Sequence, residues 1–236
     1  MLIILAILIG GAAVLSHTAP APFLFEAFRP KKSLWRVPQQ TGPPALHLTF
    51  DDGPNAEWTA AVLDALADEG VRATFFLIDD HITEATAPLV RRMARDGHAI
   101  GLHSGSRRLM ILPPDELAER LGQAAERIRA IADRQPCRLF RPHAGWRSAN
   151  MYKGLDLIGY RLAGWSWGMW DWDWWRRPDG GRVAARLAKK ASAGDIIVIH
   201  DGHHENPRAE RMHAAEVVRR FVPMMQARGF EFRPLC

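Results

Sequence analysis

Ala45-Leu46-His47-Leu48-Thr49-Phe50-Asp51-Asp52-Gly53-Pro54 is an apolar run that ends on two adjacent carboxylates and a Gly-Pro turn. The run reads as a buried strand, and Gly53-Pro54 stops it. Just beyond, Val62, Leu63, Leu66 and Ala67 share one face of a helix over 56–69, and 72–78 reads as the next strand. The same alternation continues outward. Strand-like runs at 98–103, 137–141, 159–164, 195–200 and 229–233 are separated by helical patterns near 84–96, 114–133, 147–157, 181–192 and 208–227. Leu117, Leu121, Ala124 and Ile128 mark a second apolar helix face. Alternating strands and helices predict a parallel sheet or barrel. In such barrels chemistry collects at the C-terminal ends of the strands. Asp51, Asp52, His103, Arg141 and His200 all fall at such ends.

A chain of 236 residues is long enough for one well-buried core. Its 47% hydrophobic and 24% charged residues are ordinary globular values, which indicate neither a disordered chain nor a multi-span membrane protein. The net charge of +5 suits an anionic partner such as a cell-wall polymer or a lipid headgroup layer, although solvation alone accounts for it. No run of basic residues interleaved with aromatics occurs, so nucleic acid is not an expected partner. Neither a P-loop nor a Gly-x-Ser-x-Gly elbow is present. Cys137 and Cys236 permit one disulfide without indicating it, and they have no zinc-type spacing.

The N-terminus has a character of its own. Leu2 to Leu15 is unbroken apolar residues and glycine, shorter than the roughly 20 residues a membrane span needs. No Lys or Arg precedes it, so the positive n-region of a signal peptide is missing, while Arg29, Lys31 and Lys32 follow. Residues 1–28 are therefore expected to be an apolar anchor or an atypical signal touching the membrane, with its orientation open. Residues 29–44, with four prolines, read as a linker, and 45–236 as one domain.

Three separated segments carry a more specific signal: Thr49 to Pro54, Arg141-Pro142-His143-Ala144-Gly145, and Ile197 to Gly202. In this order they resemble the polysaccharide deacetylase family, the NodB-homology domain of carbohydrate esterase family 4, across roughly residues 45–233. The resemblance implies an α/β fold, a distorted (β/α)7 barrel forming a single catalytic domain. It implies a metal-dependent hydrolase that removes N-acetyl groups from a GlcNAc-containing polysaccharide, peptidoglycan or chitin-like, with O-acetyl esters a close variant. A divalent metal, zinc by expectation, an acetylated glycan partner and a membrane-anchored or secreted, extracytoplasmic location follow from the same likeness. Oligomeric state is not legible.

By motif position the resemblance assigns Asp51 as general base, Asp52 and His103 as metal ligands, and Arg141 as the cation that tunes the base. His200 is assigned as general acid and Asp171, from Asp171-Trp172, as its carboxylate partner, with Asp173 an alternative by spacing. The backbone N–H of Ala144 takes the oxyanion position and Trp172 a groove wall, while Trp165 and Trp167 are expected in the core. One piece departs from the family pattern. His103-Ser104 matches the start of its second motif, but the second histidine's position holds Arg107. Arginine stays protonated and repels a cation, which leaves two ligands where catalytic zinc usually has three. Three outcomes stay open: a surrogate ligand among His143, His203 and His204; weak metal binding; or a membrane-held glycan-binding pseudoenzyme.

Overall fold

The computed structural model describes residues 33–39, 41–145, 147–168, 171 and 178–236, without the side chains of Arg107 and Met110. The expected anchor over 1–28 and the residues Trp170, Trp172, Asp173, Trp174 and Trp175 lie outside the described residues.

Each apolar run finds parallel neighbours, and the amphipathic stretches between them become crossovers. The order is β1 (Ser33–Leu34), β2 (Ala45–Gly53), α1 (Trp58–Asp68), β3 (Thr74–Leu77), α2 (Ala87–Arg95), β4 (Ala99–His103) and α3 (Pro114–Ala132). Then come β5 (Leu139–Arg141), α4 (Ala149–Leu157), β6 (Arg161–Ala163), β7 (Trp167–Gly168), α5 (Gly180–Lys190), β8 (Ile196–His200), α6 (Met212–Gln226) and β9 (Glu231–Phe232). Neighbours across the sheet run β1-β6-β5-β4-β3-β2-β8-β7, and β9 pairs with the start of β2. All these pairings are parallel, and the sheet curls into the α/β barrel that the alternation predicts.

Side chains that alternate along the strands build two kinds of core. Leu48, Phe50, Phe75, Ile100, Phe140 and Ile199 face the helices and join Val62, Leu66, Leu121 and Phe221 in one large cluster. The intervening positions face inward, where Phe76, Leu139 and Ala163 pack together and Trp165 packs with Ile196 and Val198. Each fully buried Leu or Phe contributes about 1.5–3 kcal/mol, so the outer layer carries most of the stability. The inner face is left thin enough to hold polar groups at its top. Register then places Asp51 beside His200 and His103 beside Arg141.

Residues 33–37 correct the linker expected over 29–44. Ser33 and Leu34 pair with Leu162 and Ala163 on β6, Arg36 bridges antiparallel to Asp195, and the Val37 N–H donates to Gly194 O at 2.8 Å. This strap spans the gap between β6 and β8. Its Trp35 is 6% exposed and meets Trp165 edge-on, in space that only Gly164 leaves: a Cβ there would lie 1.9 Å from the ring. Two residues flanked by prolines have no periodicity to read. Cys137 and Cys236 are joined in a disulfide, tying the chain before β5 to the chain after β9. Trp165 is buried as expected, whereas Trp167 is half-buried and donates its indole N–H to Asp195. Among the described residues no helix is long and apolar enough to cross a membrane.

Candidate active site

Thr49 and Asp51 sit two apart on β2 and therefore point to the same inner face, toward the end of β5. There Arg141 Nη1 donates to Asp51 Oδ1 at 2.6 Å and to Thr49 Oγ1 at 2.7 Å, and Nη2 donates to Gly164 O at 2.8 Å. The guanidinium lies 4.0 Å over the Phe76 ring. Gly101 admits that ring, since a Cβ there would be 2.7 Å from Phe76. Both charges are enclosed by protein, and neither is tolerable in that setting without the other.

Alternation alone would turn Asp52 away from the barrel interior. It does not, because the β2–β3 register shifts between Asp51 and Gly53 and Asp52 has φ 68°. A bulge re-aims a side chain, and a left-handed conformation is strained for any residue but glycine, so the surrounding structure must hold it. Gly202 is part of that hold: a Cβ there would lie 2.1 Å from Asp52 O. The two adjacent carboxylates thus face separate partners. His103 Nδ1 donates to Arg141 O at 2.6 Å, which fixes the tautomer and leaves Nε2 3.0 Å from Asp52 Oδ1. Burial alone would raise Asp52, but His103, with His200 and His143 beyond it, holds its carboxyl well below the usual range. Burial would likewise lower His103, and the Asp51 and Asp52 carboxylates outweigh it and raise the imidazole above its ordinary value. Asp52 Oδ1 is buried and accepts no hydrogen bond from the described residues.

His143 completes a group. Ligand atoms of Asp52, His103 and His143 all lie within 4.8 Å of one another, and all three residues are buried. One carboxylate, two imidazoles and a buried oxygen lacking a donor fit a borderline divalent ion such as zinc or cobalt. The His204 ring lies 4.2 Å from that of His143, and His203 stacks on His204. At Arg107 the backbone enters a short 3-10 turn, Arg107–Ile111, capped by Ser106 Oγ.

On the opposite flank, the His200 backbone N–H donates to Asp171 Oδ2 at 2.6 Å, and its Nδ1 stands 3.1 Å from Asp171 Oδ1. Burial would lower this histidine, but the Asp171 carboxylate more than compensates and lifts it to about 9. His213, which sequence reasoning missed, approaches the same carboxylate with Nε2 at 3.5 Å. Its only sequence signal is a histidine on the otherwise apolar first turn of α6. Asp201, also missed, accepts a hydrogen bond from Thr59 and is pushed up to about 7, chiefly by burial. Ala144, the expected oxyanion donor, is exposed at the mouth with φ 51°. Trp172 and Asp173 lie outside the described residues. The structure therefore brings Asp51, Asp52, His103, Arg141, Asp171 and His200 to one end of the barrel, with His143 added.

Residues 38–163, more than half of the chain, match the family model described as polysaccharide deacetylase. The chain belongs to this family. Among its relatives is a peptidoglycan-N-acetylglucosamine deacetylase from Bacillus cereus, 28% identical over 84% of this chain and 88% of that protein. A chitooligosaccharide deacetylase from Azorhizobium caulinodans is 31% identical over 81% of this chain and 92% of its own length. A family 4 acetyl xylan esterase from Clostridium thermocellum, solved with a cobalt ion, shares 30% identity and a TM-score of 0.71 over 81% of this chain and 88% of that one. The deacetylase family match begins at residue 38, so the strap that bridges β6 and β8 precedes the matched segment.

Proposed function

We propose that the protein is a metal-dependent polysaccharide N-deacetylase acting on a GlcNAc-containing glycan such as peptidoglycan or a chitin-like chain. One observation carries this reading: Asp51 is tied to Arg141 while its chain neighbour Asp52, turned by a bulge, faces His103. A base and a cation site then stand side by side. A divalent ion on Asp52 and His103 would polarise the acetyl carbonyl and acidify a bound water.

Asp51, ion-paired to Arg141, takes a proton as the water oxygen bonds to the acetyl carbon. The Ala144 N–H would donate to the oxygen that gains charge. When the C–N bond breaks, His200 gives its proton to the departing amine, so acetate and a free amino sugar result. Asp171 keeps that proton available at neutral pH, since it raises His200 to about 9. The Cys137–Cys236 disulfide supports an oxidising, extracytoplasmic setting for this chemistry, whether the chain is anchored or secreted.

Arg107 favours a second reading, a glycan-binding pseudoenzyme, because the family's second histidine is missing there. One experiment separates the two. The full-length protein, loaded with zinc or cobalt, is incubated with chitooligosaccharides and with peptidoglycan, and released acetate is measured. Acetate release abolished by Asp51→Asn is the expected outcome. Glycan binding without acetate release under any divalent ion would sink the enzyme and leave the pseudoenzyme.

A further inference from the structure

We infer that His143 is the third protein ligand of the metal, so that the ligand lost after β4 has been replaced from the loop after β5. The inference rests on the metal-dependent reading above and goes one step past it. Position 107 offers a guanidinium, which cannot bind a cation, and the backbone there winds into a 3-10 turn. His143 comes from a different strand end and still brings a ring nitrogen within 4.8 Å of the ligand atoms of Asp52 and His103. Among the described residues no other cluster of three or more His, Cys, Asp and Glu side chains brings ligand atoms so close.

The surroundings hold His143 as a ligand needs to be held. Its backbone N–H donates to Ser104 Oγ at 2.7 Å, and Ser104 follows His103 directly. In return His103 Nδ1 donates to Arg141 O, two residues before His143. The ends of β4 and β5 are thus stitched by two reciprocal hydrogen bonds, and each carries one imidazole. Ligands braced by such outer contacts are pre-oriented for the ion. The backbone just after His143 is left-handed at Ala144 and Gly145. His203 serves its own loop instead, where Nδ1 accepts from the Glu205 and Asn206 N–H groups. His204 packs against the His143 ring as its backing.

The test uses the full-length metal-free protein titrated with cobalt and with zinc. Wild type is compared with Asp52→Ala, His103→Ala and His143→Ala by affinity, stoichiometry and the cobalt visible spectrum. Loss of an outer partner typically costs 10–100-fold in affinity, so His143→Ala is expected to lose about 100-fold or more, with an altered spectrum, as His103→Ala does. Nitrogen NMR of the zinc-loaded wild type, with histidine labelled, should show both His103 and His143 imidazoles metal-bound. That readout decides the matter even where the alanine variant fails to fold. Tight binding in His143→Ala with an unchanged spectrum, or a His143 ring unmoved by zinc, would overturn the inference and leave the deacetylase reading standing. A wild type that binds neither ion would overturn both.

Discussion

Asp51 and Asp52 are chain neighbours with the same chemistry, yet one meets a guanidinium and the other an imidazole, and a single bulged residue separates their fates. The bulge is held from behind by Gly202. Gly202→Ala would drive a methyl into the Asp52 carbonyl, whose oxygen lies 2.1 Å from the added Cβ. We expect a loss of about 1–3 kcal/mol in stability, the range for adding a methyl to a packed site, together with weakened cobalt binding. Chemical denaturation and a cobalt titration check it, and a variant as stable and as tight as wild type would mean the bulge is not held there. The His200–Asp171 pair makes a pH prediction for the metal-free protein. His200 rises from 6.5 to about 9 on folding, so its pairing stabilises fully below pH 6.5 and is lost as pH climbs through about 9. In the metal-loaded enzyme, deacetylation that draws its proton from His200 should likewise fall on the alkaline side. Asp171→Asn removes the main charge that opposes burial, so the alkaline limb of the rate profile should move to lower pH. An unmoved limb would assign it to another group.

At the scale of elements, legibility followed periodicity. All seven strand runs read from the sequence form strands, and the six helical patterns form helices, because buried parallel strands and one-faced helices write their burial into apolar spacing. β1 carried no such record: Ser33 and Leu34 become a strand only because β6 offers them partners. The site was legible where residues end strands, as with Asp51, His103, Arg141 and His200. It was not legible where a loop decides direction. His143 could be read only as one of three surrogate candidates, because the loop that carries it, left-handed at the next residue, decides its direction, and His213, near Asp171, was missed altogether. The strap itself can be tested through Trp35, whose ring fills the space above Gly164. Trp35→Ala should cost about 3–5 kcal/mol, as large-to-small changes in packed cores do. A melting temperature close to wild type would show instead that the barrel closes without the strap.

The whole molecule separates holding from reacting. Asp51, Asp52, His103 and His200 gather at the C-terminal ends of the strands, while the Cys137–Cys236 bond lies at the opposite end, where the Leu235 N–H also meets Thr74 at the start of β3. A bond spanning 99 residues acts mainly by restricting the unfolded chain, and such bonds typically contribute about 2–4 kcal/mol. Replacing both cysteines by serine, or reducing the wild type, should therefore lower the unfolding free energy by that amount. Because the bond touches none of Asp51, Asp52, His103, His143 or His200, acetate release well below the melting temperature should stay within about twofold of wild type. Denaturation curves and rates measured on the same oxidised, reduced and double-serine samples decide the point. A fall in rate that matches the fall in stability would mean that strain at the floor of the barrel reaches its mouth, and the two ends could no longer be treated as independent.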